Sequence, residues 1–168
     1  IRQEAPGDET AIFEVNVAAF GRDDEAQLVD RLRATGGHLL SLVATNDAGE
    51  IIGHVLFTPV AVEGTEEIFE CTALGPIAVL PEVQDEGVGA ALIEMGMQGV
   101  LDMGYDVIFV LGDPDYYGQF GFEQAEPHYI KSEFDVPTEH FLVALGSDNA
   151  LEGIWGTVYY LPAFKDES

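Results

Sequence analysis

At 168 residues with 47% hydrophobic side chains, the chain is long enough for one domain with a substantial core, and no apolar run reaches transmembrane length. Lys+Arg of 6 against Asp+Glu of 31 leaves a net charge of −25, which repels nucleic acid and anionic membrane and sets both aside as partners. The lone Cys71 excludes an intrachain disulfide framework and a cysteine-rich zinc site; with no basic-then-apolar leader at Ile1, a cytoplasmic protein is expected.

Ile1–Gln3 reads as the remnant of a first strand. Asp8 or Thr10 is placed to cap a helix over Glu9–Phe20, with Ile12, Phe13, Val15 and Phe20 as its apolar stripe and Gly21 as its breaker. A second helix, about Asp24–Ala34, carries Leu28, Val29 and Leu32 at helical spacing and ends at Gly36-Gly37. Leu39–Thr45, Ile51–Val62 and Ile68–Val79 read as three strands of an antiparallel meander, turned at Asn46–Gly49 and at Gly64-Thr65. Gly75-Pro76 interrupts the third of these and predicts a bulge or an exposed ladder edge. A helix is expected over Ala90–Met103, then a buried parallel strand over Asp106–Leu111. A short helix opens at Gly112-Asp-Pro-Asp115, a strand starts from Phe122, Pro127–Thr138 is loop-like, and Phe141–Leu145 and Thr157–Leu161 close the sheet.

The stretch that organises the rest is Leu74–Leu92. The apolar run Ile77–Leu80 stops at Pro81; a polar turn follows, then Gly87, Gly89 and an Ala/Leu-rich helix. The glycines let backbone approach a ligand closely, and the helix N-terminus offers unpaired N–H groups with partial positive charge. Strand, glycine turn and helix N-terminus together make a place for a phosphate. The spacing is neither the dinucleotide G-x-G-x-x-G nor a P-loop.

With Val79, Pro81, Gln84, Gly87 and Gly89 in every fixed position, this stretch resembles the acetyl-CoA loop of the GNAT N-acetyltransferases, V-x-P-x-x-(Q/R)-x-x-G-x-(G/A). Tyr116-Tyr-Gly-Gln-Phe-Gly-Phe122 resembles their second signature, (F/Y)-Y-x-x-x-G-F, in the right order and at the right separation. The Gly-Asp-Pro-x-Tyr-Tyr form and the ending Gly156–Phe164 are similar to a branch of small predicted N-acetyltransferases. The resemblance implies a single domain over 1–168: a mixed α/β, three-layer GNAT-like fold whose mostly antiparallel sheet of about seven strands is splayed in the middle and flanked by helices.

The resemblance also implies a reaction, acetyl transfer from acetyl-CoA to the amine of a small molecule in a ternary complex. Alternatives left open are acetylation of a protein lysine or N-terminus, and a non-catalytic acyl-CoA sensor. Cofactor contacts are expected from Ile77, Ala78 and Val79, and from Gln84, Asp85, Glu86, Gly87, Val88, Gly89 and Ala90. Tyr117 is the expected acid for the departing sulfur, since a phenol stays protonated at neutral pH. The base is expected at Glu70, acting directly or through water, with Asp113 and His54 also open. Asp85 and Glu86 stand where many relatives carry small or basic residues, so the polyanionic cofactor must be held by backbone against two carboxylates.

The four histidines show no metal-ligand spacing, and no metal is expected. The acids are spread along the chain and the only lysines are Lys131 and Lys165. Such a surface predicts a high-salt cytoplasm, where a Debye length of about 3 Å at about 1 M salt screens self-repulsion. Attraction of a cationic substrate such as a polyamine is the competing reading. A homodimer is the base-rate expectation for assembly.

Overall fold

The computed structural model describes residues 1–64 and 67–165; the turn expected at Gly64-Thr65 lies in part outside them. Four helices are α1 (Glu9–Phe20), α2 (Asp24–Ala34), α3 (Val88–Asp102) and α4 (Pro114–Tyr117). The strands are β1 (Arg2–Gln3), β2 (Leu40–Thr45), β3 (Ile51–Glu63), β4 (Ile68–Val79), β5 (Val107–Leu111), β6 (Glu123–Gln124), β7 (Ile130–Ser132), β8 (Phe141–Leu145) and β9 (Gly156–Tyr159). They form one mixed sheet in the order β1-β2-β3-β4-β5-β8-β6, with β9 pairing β3 and β7. The fold is the expected mixed α/β type, and among the described residues the sheet has 9 strands where about seven were expected. One strand that was not expected, β7, lies inside the segment read as loop, where it pairs in parallel with β9.

The two faces of the sheet are covered differently. On one, Leu42, Val55, Phe57, Ile108 and Leu142 pack with Leu92, Ile93 and Val100 of α3 and with Tyr117 and Phe122. On the other, Val43 and Leu56 meet Ile12, Val29 and Leu32 of α1 and α2, while Val60, Ala73, Phe109 and Val143 meet Val158 and Tyr160 of the C-terminal segment. Alternation along each strand divides these sets, as a half-buried ladder requires. The helix pair falls as its apolar spacing predicts, except that Phe20 stays exposed. Asp8 occupies the cap position of α1 without capping it: its carboxylate accepts instead from Arg2 and from the Ala5 N–H.

The middle of the sheet opens at the predicted interruption. Val55 pairs with Ile77 and Phe57 with Leu74, so Gly75 and Pro76 both stand opposite Leu56. This is a β-bulge, with a cis Gly75-Pro76 peptide inside it. One extra residue reverses the alternation, so Ile77 and Val79 share a face with Leu74. Parallel pairing of β4 with β5 stops at Leu74–Val110, which among the described residues leaves the edge of residues 75–79 without a strand beside it.

Candidate active site

A cleft follows that open edge as two cavities. The first, about 430 Å³, lies between the end of α1 and the start of α3 and is lined by Ile77, Val79, Gln84, Asp85, Gly87, Gly89, Ala90, Tyr116 and Gln119. The second, about 420 Å³, is lined by Leu74, Pro76, Val110, Tyr117, Glu25, Tyr160 and their neighbours. Phe20 and Ile77 line both, so the cleft narrows between them and continues through the gap in the sheet.

Backbone builds the first cavity. Pro81–Val83 forms one turn of 3-10 helix, Asp85 takes a left-handed conformation, and Gly87 follows at φ 85° as the residue that starts α3. The helix therefore begins at Val88, two residues before its expected start. The Gln84 N–H turns back to the Pro81 carbonyl at 3.4 Å, and its side chain donates to the Val79 carbonyl at 3.1 Å. Among the described residues, the N–H groups of Asp85, Glu86, Gly87, Val88, Gly89 and Ala90 have no hydrogen-bond acceptor. Such a run at a helix N-terminus suits an anion. Asp85 and Glu86 are exposed beside it, and Val88 turns into the core instead of the cavity.

On β4 the Leu80 N–H donates to the Ile52 carbonyl across the ladder. Successive N–H groups of a strand point to opposite edges, so Ala78 also faces β3 while Ile77 and Val79 face the open edge. Ala78 is buried and does not line the cleft, in contrast to the expectation that grouped it with Ile77.

Tyr117 lines the second cavity, only 9% exposed, edge-on to Tyr116 and Phe122 at 5.0 and 5.8 Å between ring centroids. A Cβ at Gly112 would run into the Tyr117 ring, so the glycine before α4 admits it. The Asp113 carboxylate caps α4, accepting from the Asp115 N–H at 2.9 Å. Burial, helped by Tyr116, pushes the Tyr117 phenol up to about 12, which keeps it protonated. Tyr116, to which the sequence reading gave no role, places its hydroxyl 3.2 Å from where a Cβ of Gly89 would be. Its signal was its position as the first aromatic of the second signature.

Glu70 is exposed, pairs with Ala61, and lines neither cavity; it stands about 13 Å along the strand from Leu74. His54 is fully buried between Ser41 (2.9 Å) and Asn16 (3.5 Å), away from the cleft, and burial pulls its imidazole down to about 4. Glu25 is the carboxylate that does line the second cavity, and Arg22 grips it at 3.0 and 2.6 Å. That bond, mainly, holds Glu25 below the usual carboxylate range. Cys71 is a buried core thiol pushed up to about 12. Among the described residues no group of three or more His, Cys, Asp or Glu is placed to hold a metal, and no helix is long and apolar enough to cross a membrane.

Residues 1–125 match the sequence model of the acetyltransferase (GNAT) domain. The chain is 37% identical over 165 residues to the uncharacterized N-acetyltransferase YhbS of Escherichia coli, covering 98% of each. It is 38% identical over 136 residues to YjhQ of the same organism, covering 79% of this chain and 75% of that one. Among solved structures it is similar to Escherichia coli YhbS in complex with CoA, at TM-score 0.93 and 35% identity, covering 99% and 92% of the two chains. A GNAT acetyltransferase from Brucella melitensis in complex with acetyl-CoA superposes at TM-score 0.79 and 34% identity, covering 97% and 96%. Fold, both signatures and relatives of matching length agree: the chain belongs to the GNAT N-acetyltransferase family.

Proposed function

We propose that the protein transfers an acetyl group from acetyl-CoA to the amine of a small molecule, with both bound at once. The observation that carries this reading is the run of unbonded N–H groups from Asp85 to Ala90, set at one end of a cleft whose second cavity is lined by the buried, protonated Tyr117. Those amides and the α3 dipole hold the diphosphate. The pantetheine lies along the open edge of β4, and the Ile77 N–H faces the thioester oxygen.

The acceptor arrives as an ammonium and loses one proton to water. The neutral amine attacks the thioester carbon, and the carbonyl electrons move to oxygen. On collapse the C–S bond breaks, sulfur takes the Tyr117 proton, and the phenolate recovers a proton from the new amide nitrogen. Amide, CoASH and one released proton balance the reaction. The proton acceptor in this reading is water or the Tyr117 phenolate, with Glu70 too far along its strand to reach directly.

Steady-state release of CoASH with a panel of amines tests the proposal. Turnover that is lost in Tyr117→Phe while acetyl-CoA still binds supports it. Acetyl-CoA binding without turnover on any amine or peptide points to a sensor, and turnover on peptides alone to a protein acetylator. We also propose that acetyl-CoA binds more tightly as KCl rises toward molar concentrations, because salt screens Asp85 and Glu86.

A further inference from the structure

Resting on the cofactor half of the transferase reading, we infer that the Tyr116 hydroxyl completes the anion cradle, donating a hydrogen bond to the cofactor's diphosphate beside the free Gly89 N–H. The lining of the first cavity leads there. No Lys, Arg or His is among its described lining residues, and the charged one, Asp85, is an acid. A diphosphate held there is met by donors without formal charge. The lining side chains able to donate are Gln84, Gln119 and Tyr116. The Gln84 amide donates to the Val79 carbonyl at 3.1 Å, and the Gln119 amide to the Tyr116 carbonyl at 2.9 Å. The Tyr116 hydroxyl has no hydrogen-bond partner among the described residues.

Its position is set by protein alone. The Tyr116 ring stands edge-on to Tyr117 at 5.0 Å and to Phe120 at 5.5 Å, which fixes its direction. The hydroxyl reaches the second residue of α3, 3.2 Å from the point where a Gly89 Cβ would stand. A helical Cα–Cβ bond tilts toward the N-terminus, so that point lies on the side to which the free N–H groups are directed. Gly89 therefore leaves room for the phenol and sets its own N–H beside it. Partial burial raises the phenol from the ordinary tyrosine value, so it is a donor at neutral pH. Adjacent tyrosines thus divide the work: Tyr116 holds the cofactor, and Tyr117 gives up the proton.

The test titrates CoA calorimetrically into the wild type and into Tyr116→Phe, which removes only the hydroxyl, and records phosphorus NMR spectra of the bound cofactor. Kd for CoA is expected to rise about ten-fold, the size of one hydrogen bond to a charged acceptor, and the loss to appear in KM for acetyl-CoA more than in kcat. The diphosphate resonances are expected to move between the two proteins while that of the ribose phosphate stays. Gly89→Ala sets a methyl against the hydroxyl and is expected to cost less affinity in Tyr116→Phe than in the wild type. An unchanged Kd, or a loss of affinity with the diphosphate resonances unmoved, overturns this inference and leaves the transferase reading standing. The expected losses with no amine acetylated overturn the transferase reading alone. A wild type that binds no CoA overturns both.

Discussion

The two ends of the cleft are made from different material. At the α3 end the polar groups left unbonded are, but for the Tyr116 hydroxyl, main-chain amides, gathered within a few consecutive residues around Gly87. The far end is lined by side chains from distant positions, Glu25 on α2, Tyr117 on α4, and Phe134 and Tyr160 on the C-terminal segment. A backbone site depends on conformation and tolerates hostile neighbours such as Asp85 and Glu86. A side-chain site depends on identity, and one atom can change what it accepts.

The largest effect tests the side-chain end. Tyr117→Phe should lower kcat about a thousand-fold while acetyl-CoA affinity, measured calorimetrically, stays within a factor of two. A drop in both would mean that the ring holds the cleft open instead of supplying a proton.

Next comes the wall the ends share. Asn16 of α1, whose later residues Ala19 and Phe20 reach the cleft, sits against His54, which Ser41 links to the Glu4–Arg33 ion pair. Burial lowers the His54 pKa most, repulsion from Arg33 and His38 adds to it, and attraction from Glu4 opposes it. The folded pKa of about 4 lies below the ordinary 6.5, so the unfolded chain binds the extra proton first as pH falls. The His54 contribution to stability is fully present above pH 6.5 and is expected to be lost toward pH 4, a fall on the order of 3 kcal/mol that denaturant titrations would read. His54→Gln should flatten that interval relative to the wild type.

Smaller effects separate backbone from side chain at the α3 end. Gly87→Ala forces a left-handed alanine, a strain of about 1 kcal/mol, and acetyl-CoA affinity should fall about ten-fold with KM for the amine unchanged. The pair Asp85→Asn and Glu86→Gln should do the reverse, tightening acetyl-CoA about three-fold at low salt and reducing its salt dependence. Weaker binding in that pair would show that the carboxylates belong to the site.

The same contrast explains what could be read from sequence. The cradle was legible because a backbone device leaves consecutive marks: Pro81, Gln84, Gly87 and Gly89 at fixed spacing. Gly75-Pro76 likewise announced the bulge. Glu25 left no mark, being one acid of 31 in a helix that reads as ordinary and amphipathic. Tyr160 looked like a strand residue, and only its unpaired hydroxyl distinguishes it. Glu70 was chosen by nearness in sequence to the loop, and along an extended strand that nearness still leaves it about 13 Å from Leu74 and outside both cavities. β7 escaped because Ile130-Lys-Ser132 is too short to show alternation.

The bulge at Gly75-Pro76 also restricts how the chain can change in length. Upstream of it even-numbered residues of β4 look toward α3; downstream odd-numbered ones do. Removing a single residue there would restore a regular ladder with Ile77 and Val79 still on the face of Leu74, now two and four places after it, and would take away the bulge while the sheet still forms. Insertions are absorbed at Asn46–Gly49, where parity has no meaning.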